Sequence, residues 1–371
     1  MKKILIVTTV GGFVTKFEQN NLDILNELGY EIHYAANFSN TIYEIDYDAL
    51  ERRNVIIHDM PIEKSVTKVA SHGRNIKILT KLIDDLGITV VHCHTPVGGV
   101  LARLAARKSH SKPYVIYTAH GFHFYKGCPI ANRIYYPVEK YMSKFTDCLV
   151  TINEEDYVRA GRFRKNLKVV KIPGVGLDTT VYAPAKEARA HEGFRLVTIG
   201  EINKNKNQEV VIKALKLLGD TNISYTIYGK GDRIDYLKKM VEEYGLNEQV
   251  KFAGYCNAPW EVLRETDVFV FPSIREGLGM AALEALACGV PVVGLDNRGT
   301  REYLRDGENG LVCKRNDARE FAYNIQKACY GMDFDREKAK LAARDTALEF
   351  QIKDTEEIMR EVYGGIEIKG Q

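Results

Sequence analysis

Two glutamates eight positions apart, Glu276 and Glu284, sit in the window of the chain richest in chemistry. It runs Phe271-Pro272-Ser273-Ile274-Arg275-Glu276-Gly277-Leu278-Gly279-Met280-Ala281-Ala282-Leu283-Glu284-Ala285-Leu286-Ala287-Cys288-Gly289-Val290-Pro291, and reads as strand, loop, helix, turn and the start of another strand. Gly277 and Gly279 let backbone come close to a ligand. A helix opening at about Leu278–Met280 aims unpaired N–H groups at whatever lies before it, which suits a diphosphate. Eight helical residues span about 12 Å, and because Glu276 precedes the helix the true gap can be shorter. Two carboxylates so spaced can hold two separate polyols, a sugar ring and a ribose, through charge-assisted hydrogen bonds. The plain alternative is a loop acid plus a surface glutamate on an ordinary helix. It requires Glu284 to face solvent, against its apolar neighbours Leu283, Leu286 and Ala287.

Histidines form the second group. His92 and His94 are two apart in an apolar run, so on a strand they share a face. A metal site needs a third ligand at recognisable spacing; none is found and no suitable Asp-x-Asp occurs, so no metal is expected. One of the pair is expected to line the site and the other to orient it. His120 and His123 flank Gly121-Phe122 at another strand end, where an imidazole is available near neutral pH.

The elements that must position these groups alternate along all 371 residues, a length that predicts two to three domains. Apolar runs predict strands at 3–8, 31–35, 55–58, 89–93, 114–119, 148–152 and 168–172, then at 194–199, 223–228, 249–252, 267–271, 290–294 and 310–313. Helical patterns lie between them, at 15–28, 73–86, 97–108, 130–144 and 154–162 in the first half. The second half has them at 207–218, 232–244, 260–265, 278–287, 299–304, 317–330 and 335–348. Continuously apolar strands alternating with helices mean parallel sheets covered on both faces. The pattern restarts at Phe194 after a polar, charged stretch. This predicts a first α/β domain over 1–182, a linker at 183–193, a second over 194–350, and a C-terminal helix in 351–371 that packs on either domain. Two doubly wound domains facing across a cleft are expected, with ligands at the carboxyl ends of the strands.

The window from Glu276 onward resembles the E-x7-E signature of family 4 retaining glycosyltransferases, with E-G-x-G before the helix and L-E-A-x-A-x-G-x-P-V-V after it. The likeness extends over most of the chain. Ile172-Pro173-Gly174-Val175-Gly176-Leu177-Asp178 resembles the family's interdomain P-x-G-V-D segment, with Gly and Leu inserted. Glu308-Asn309-Gly310-Leu311-Val312 resembles its N-G-x-L-V stretch, Thr118-Ala119-His120-Gly121 its first-domain T-x-H, and His92-Cys93-His94-Thr95-Pro96 its V-H-x-H-x-P strand end.

The resemblance implies a GT-B fold, two Rossmann-like domains, and a metal-independent retaining transfer of a hexose or N-acetylhexosamine. The donor would be a nucleotide diphosphate sugar, UDP-linked by analogy, and the acceptor a saccharide or polyprenyl-linked sugar of surface-polysaccharide assembly. It assigns Glu276 to the transferred sugar's hydroxyls and Glu284 to the donor ribose. Gly277, Leu278, Gly279 and Met280 would face the diphosphate, and Lys206, near Gly200, would pair with donor phosphate. His120 would sit beside the reacting carbon, and Gly11 and Gly12 would form the first-domain loop against the diphosphate. Where the family usually has Arg just after the Gly of that segment, this chain has Glu201, which leaves the charge to Lys204 or Lys206.

Net charge is only +3, which by itself implies no nucleic acid. The charge is uneven: residues 1–190 hold 26 basic and 19 acidic side chains, and 191–371 hold 26 and 30. Arg103, Arg107, Lys108 and Lys112, and Arg159, Arg162, Arg164 and Lys165, read either as footprints on anionic lipid headgroups or as solvated faces. The aromatics of His120–Tyr136 read either as an acceptor-side surface or as core. Seven scattered cysteines read as reduced, buried hydrophobes. With no signal segment or spanning run, a cytoplasmic protein is expected, free or peripheral on the inner membrane face. Three alternatives are a nucleotide-sugar epimerase of the same architecture, an inactive sugar-nucleotide binder, and a dinucleotide oxidoreductase; the last lacks the G-x-G-x-x-G spacing after the first strand.

Overall fold

The computed structural model describes residues 2–39, 43–65, 68–186 and 191–367. Val/Ile-rich runs form two parallel sheets. In the first are β1 (Lys3–Val10), β2 (Glu31–Asn37), β3 (Ile56–Asp59), β4 (Val90–His94), β5 (Tyr114–Ala119), β6 (Cys148–Thr151) and β7 (Lys168–Lys171), in the order β3-β2-β1-β4-β5-β6-β7. In the second are β8 (Phe194–Ile199), β9 (Ile223–Tyr228), β10 (Val250–Gly254), β11 (Val268–Phe271), β12 (Val292–Leu295) and β13 (Gly310–Cys313), in the order β10-β9-β8-β11-β12-β13. Each order reverses direction once, between β1 and β4 and between β8 and β11, so each sheet has a switch point where the flanking loops diverge and leave a crevice. Every strand foreseen in the sequence is present; the central ones, such as β4 and β11, are buried throughout, as double coverage by helices demands.

The chain divides into two compact units, Met1–Val175 with Lys353–Gln371, and Gly176–Ile352. The boundary falls ahead of the 183–193 stretch read as a linker. The reason is local: residues just after 176 bond into the second unit. Leu177 N–H donates to Phe350 O (3.1 Å), and Ile352 N–H returns to Leu177 O (3.0 Å). Arg344 donates to the carbonyls of Tyr182 (2.7 Å) and Thr179 (2.9 Å). Positions 187–190 of the stretch lie outside the described residues, as do 368–371.

The helix Ile352–Gly364 carries the chain back into the first unit. Met359, Val362 and Tyr363 are buried. Tyr363 hydrogen-bonds His92 Nδ1 at 2.8 Å, and its carbonyl accepts from Tyr30 at 3.1 Å.

Three local readings change. The helix foreseen at 15–28 is two, Gly12–Phe17 and Gln19–Glu27, broken at Glu18 (φ −130°, ψ 16°). The one at 130–144 is a 3-10 turn Ile130–Ile134, an α-helix Tyr135–Met142 and a second 3-10 turn. A short helix, Tyr47–Arg52, had no clear apolar period. The helix expected to open at about Leu278–Met280 begins at Met280, because Gly279 is left-handed (φ +94°) and ends the preceding loop. Arg103, counted above as surface charge, is fully buried: it pairs with Glu139 at 2.9 Å and stacks 4.0 Å from the Tyr117 ring. All seven cysteines are free, and five are buried.

Candidate active site

Both groups of candidate residues lie at or near the carboxyl ends of central strands, each within its own unit: Glu276 follows β11, His94 ends β4 and His120 follows the neighbouring β5. In the second unit, β8 runs into Gly200 and the loop to Asn207, and β11 runs into the loop to Gly279. The two loops are laced together. Ile274 N–H donates to Asn205 O (2.8 Å), Asn205 Nδ2 to Arg275 O (2.9 Å), and Asn207 Nδ2 to Pro272 O (3.1 Å). This lacing brings Lys206 Nζ within 2.6 Å of Glu276 Oε1, with both side chains mostly buried. The cation stands 5.4 Å over the Phe271 ring. Lys206 is therefore the lysine in contact with Glu276, whereas Lys204 and Glu201 are exposed and Lys204 lines a depression with Asn207, Lys213, Arg233 and Ile274.

Gly279 opens the helix Met280–Ala287. A Cβ there would stand 2.8 Å from the Phe271 ring and 2.9 Å from Tyr303 Oη, so glycine is required by both conformation and space. Tyr303 donates to Gly279 O (3.2 Å). Glu284 is half-buried rather than solvated. Tyr182 is its hydrogen-bond partner, and the phenol's pKa is pushed up by burial first and by Glu284 second. Sequence reasoning missed the brace behind this loop. Asn297 Nδ2 donates to Ser273 O at 2.8 Å, and Gly299 lies so close that a Cβ would meet Leu278 O at 2.5 Å. The polar run Asp296-Asn297-Arg298-Gly299-Thr300 after a strand was the available signal.

In the first unit, β1 ends at Val10 and the loop Gly11-Gly12 starts the next helix. Gly11 N–H donates to Asn37 O (2.9 Å) and Gly11 O accepts from Tyr34 (2.8 Å). A Cβ on Gly12 would collide with Tyr43 O at 2.4 Å. That helix lays Phe13 edge-on against His120, with ring centroids 5.0 Å apart. His120 Nε2 lies 3.1 Å from His94 Nδ1, and Glu18 Oε1 is 3.4 Å from both. Asn21 Nδ2 donates to the other Glu18 oxygen.

These three side chains are the one imidazole–carboxylate group among the described residues compact enough to hold a cation. Burial sets their protonation near neutral pH. Burial pushes the Glu18 carboxyl up to about 8, only partly opposed by Asn21. Burial lowers His120 to about 4, and His94 well below its usual value. All three are thus uncharged near pH 7, a neutral hydrogen-bonding array rather than an ion pair. Glu18 had no sequence signal, because it stands inside an apparent amphipathic helix. His92 holds Thr118 Oγ1 (2.8 Å) and Tyr363, and its ring lies 4.1 Å from that of His94. His94 does the orienting. Thr95 next to it is left-handed (φ +62°, ψ 149°), a conformation strained for a β-branched residue. His123 packs on Tyr135, with centroids 5.0 Å apart. Phe122 and Phe124 are core, and Tyr135 and Tyr136 pack against it.

Two doubly wound sheets, one presenting paired glutamates beside a helix N-terminus and the other a histidine array, place the protein among two-domain sugar-transferring enzymes. Residues 183–344 match the family model described as glycosyl transferases group 1, and residues 3–153 match glycosyl transferase 4-like. Bacillus subtilis EpsD is 39% identical over 98% of this chain and 96% of its own. The chain belongs to this glycosyltransferase family. An Escherichia coli protein, UDP-Gal:alpha-D-GlcNAc-diphosphoundecaprenol alpha-1,3-galactosyltransferase, is 27% identical over 66% of this chain and 67% of its own. Among solved structures, Anabaena HepE in complex with UDP superposes with a TM-score of 0.77 at 16% identity, covering 99% of this chain and all (100%) of that one. Sucrose-phosphate synthase of Thermosynechococcus elongatus gives 0.81 at 17% identity, covering 98% and 99%. The fold is GT-B.

Proposed function

We propose that the protein is a retaining, metal-independent glycosyltransferase of surface-polysaccharide assembly. It moves a hexose or N-acetylhexosamine from a UDP-linked donor to a saccharide or polyprenyl-linked acceptor. The observation that carries this is the second-unit constellation: Lys206 and Glu276 in contact at 2.6 Å beside the left-handed Gly279 that opens the helix bearing Glu284. Solved GT-B structures described with UDP and with UDP-glucose, and a relative named for a diphosphoundecaprenol acceptor, support the donor and acceptor classes.

In this reading Glu284 holds the ribose and Glu276 the sugar hydroxyls. As the bond from the anomeric carbon to the distal phosphate oxygen breaks, negative charge grows on the phosphate. Lys206 and the N–H groups of Gly279 and Met280 stabilise it, each such donor being worth about 3–4 kcal/mol in comparable sites. The acceptor oxygen attacks the face the phosphate leaves. Its proton passes to the departing phosphate oxygen, so configuration is kept and no metal or second carboxylate pair is needed.

The test is thermal stabilisation by nucleotide diphosphates and their sugars, with and without EDTA. A shift from uridine compounds, unchanged by EDTA, supports the reading; a ligand at 100 times its Kd adds about 2.7 kcal/mol. Stabilisation only in the presence of a divalent cation, or by no nucleotide, overturns it.

A further inference from the structure

The segment after His120 leaves apolar side chains in water. Ile130 is 80% exposed, Ile134 67%, Val138 42% and Tyr141 54%. They recur at i, i+4, i+8 and i+11, along one side of the 3-10 turn Ile130–Ile134 and the helix Tyr135–Met142. Pro129, Ala131 and Pro137 are exposed with them. Arg133, Lys140 and Lys144 are exposed among them, and Arg107 joins through Phe145, its guanidinium 5.5 Å from that ring. Glu139 is the only acid from Gly121 to Thr146, and it is buried against Arg103. Just outside it, Asp147 accepts from Val115 N–H (2.8 Å) and Glu155 from Lys126 N–H (2.6 Å) and Arg159 (2.9 Å). Residues 121–146 therefore present an apolar and cationic surface with no exposed acid of their own.

We infer that residues 129–144 dock on an anionic lipid bilayer, with Ile130, Ile134, Val138 and Tyr141 in the headgroup–acyl boundary and Arg133, Lys140, Lys144 and Arg107 on the lipid phosphates. An interfacial segment needs this pairing of an isoleucine-rich face with flanking cations. Charge selects the occupant: a second copy would set the same cations against each other, whereas a bilayer takes the apolar and the cationic parts together. The face replaces the footprint built on Arg103, which is in the core. It is tied to the site by Asn132, whose Nδ2 donates to His123 O at 3.0 Å, three residues from His120. That it delivers a lipid-linked acceptor rests on the transfer reading above; the docking itself does not.

The experiment is co-sedimentation of the full chain with vesicles of phosphatidylcholine alone, or of equal parts phosphatidylcholine and phosphatidylglycerol. Binding is expected only to the mixed vesicles and to fall as salt is raised. Ile130→Ser with Ile134→Ser should abolish it while thermal midpoint and turnover on a soluble acceptor stay at wild-type values, since neither side chain is in the core. Arg133→Gln and Lys140→Gln should each weaken it about fivefold. No binding to mixed vesicles, or binding unchanged in the double serine variant, overturns the proposal. So does a concentration-dependent dimer that the serine variant abolishes, which would assign the face to a second copy. Loss of turnover in all proteins with vesicle binding intact would instead overturn the transfer reading alone.

Discussion

Glu18 sits where a helix breaks, and the break turns its carboxyl into the protein against two imidazoles. A buried acid whose pKa rises from 4.5 to about 8 binds a proton in the folded state that the unfolded chain has already released. Stability therefore falls as pH climbs through that window. The histidines act oppositely. His92 at about 3 and His120 at about 4, with His94 also low, protonate in the unfolded chain first, so stability falls as pH drops below their ordinary 6.5. Three histidines outweigh one glutamate on the acid side. The thermal midpoint should peak near pH 6.5 and decline toward pH 8, and Glu18→Gln should remove the alkaline decline while leaving the acid one; a scan of midpoint against pH checks both. At the second site, Glu284→Ala should weaken uridine-nucleotide binding by calorimetry. Glu276→Ala should spare the nucleotide and lower turnover by about 10²-fold or more. Equal effects from both would reverse the assignment of sugar and ribose.

The elements explain why some of this was legible in sequence and some was not. Strands were readable because double coverage makes them apolar throughout, and the E-G-x-G…L-E-A window was readable because a tight loop before a helix leaves glycines at set spacing. Glu18 was hidden because a helix break without Gly or Pro looks like helix. Arg103 was misplaced because its partner Glu139 lies on a different helix, 36 residues away. The consequences are measurable. Gly279→Ala forces a side chain into a left-handed position against Phe271 and Tyr303 and should cost about 1–3 kcal/mol, with the nucleotide-induced thermal shift lost alongside. Arg103→Met leaves Glu139 buried and unpaired and should cost about 3–5 kcal/mol by urea unfolding. A further Glu139→Gln change should return much of it.

At the scale of the molecule, two units with separate cores should unfold in two calorimetric steps, each with its own midpoint, and the pH response of Glu18 and the histidines belongs to the step of the first unit. Uridine diphosphate should raise the step of the unit that carries Glu284. Tyr363→Phe should lower the other, because it removes the partner of His92, a loss of about 1–2 kcal/mol. A uridine-induced rise confined to the first unit would contradict the placement of the donor site.

The return of the helix Ile352–Gly364 to the first unit also bears on synthesis. A ribosome delivers residues 1–175 first, yet the buried Met359, Val362 and Tyr363 that close their core emerge only after all of 176–352. The second unit is contiguous and can fold as it leaves the exit tunnel, while the first waits with part of its apolar surface open. Nascent chains usually complete domains from the N-terminus onward; here the half made first is the half finished last, and it is the half that would lean on chaperones during translation.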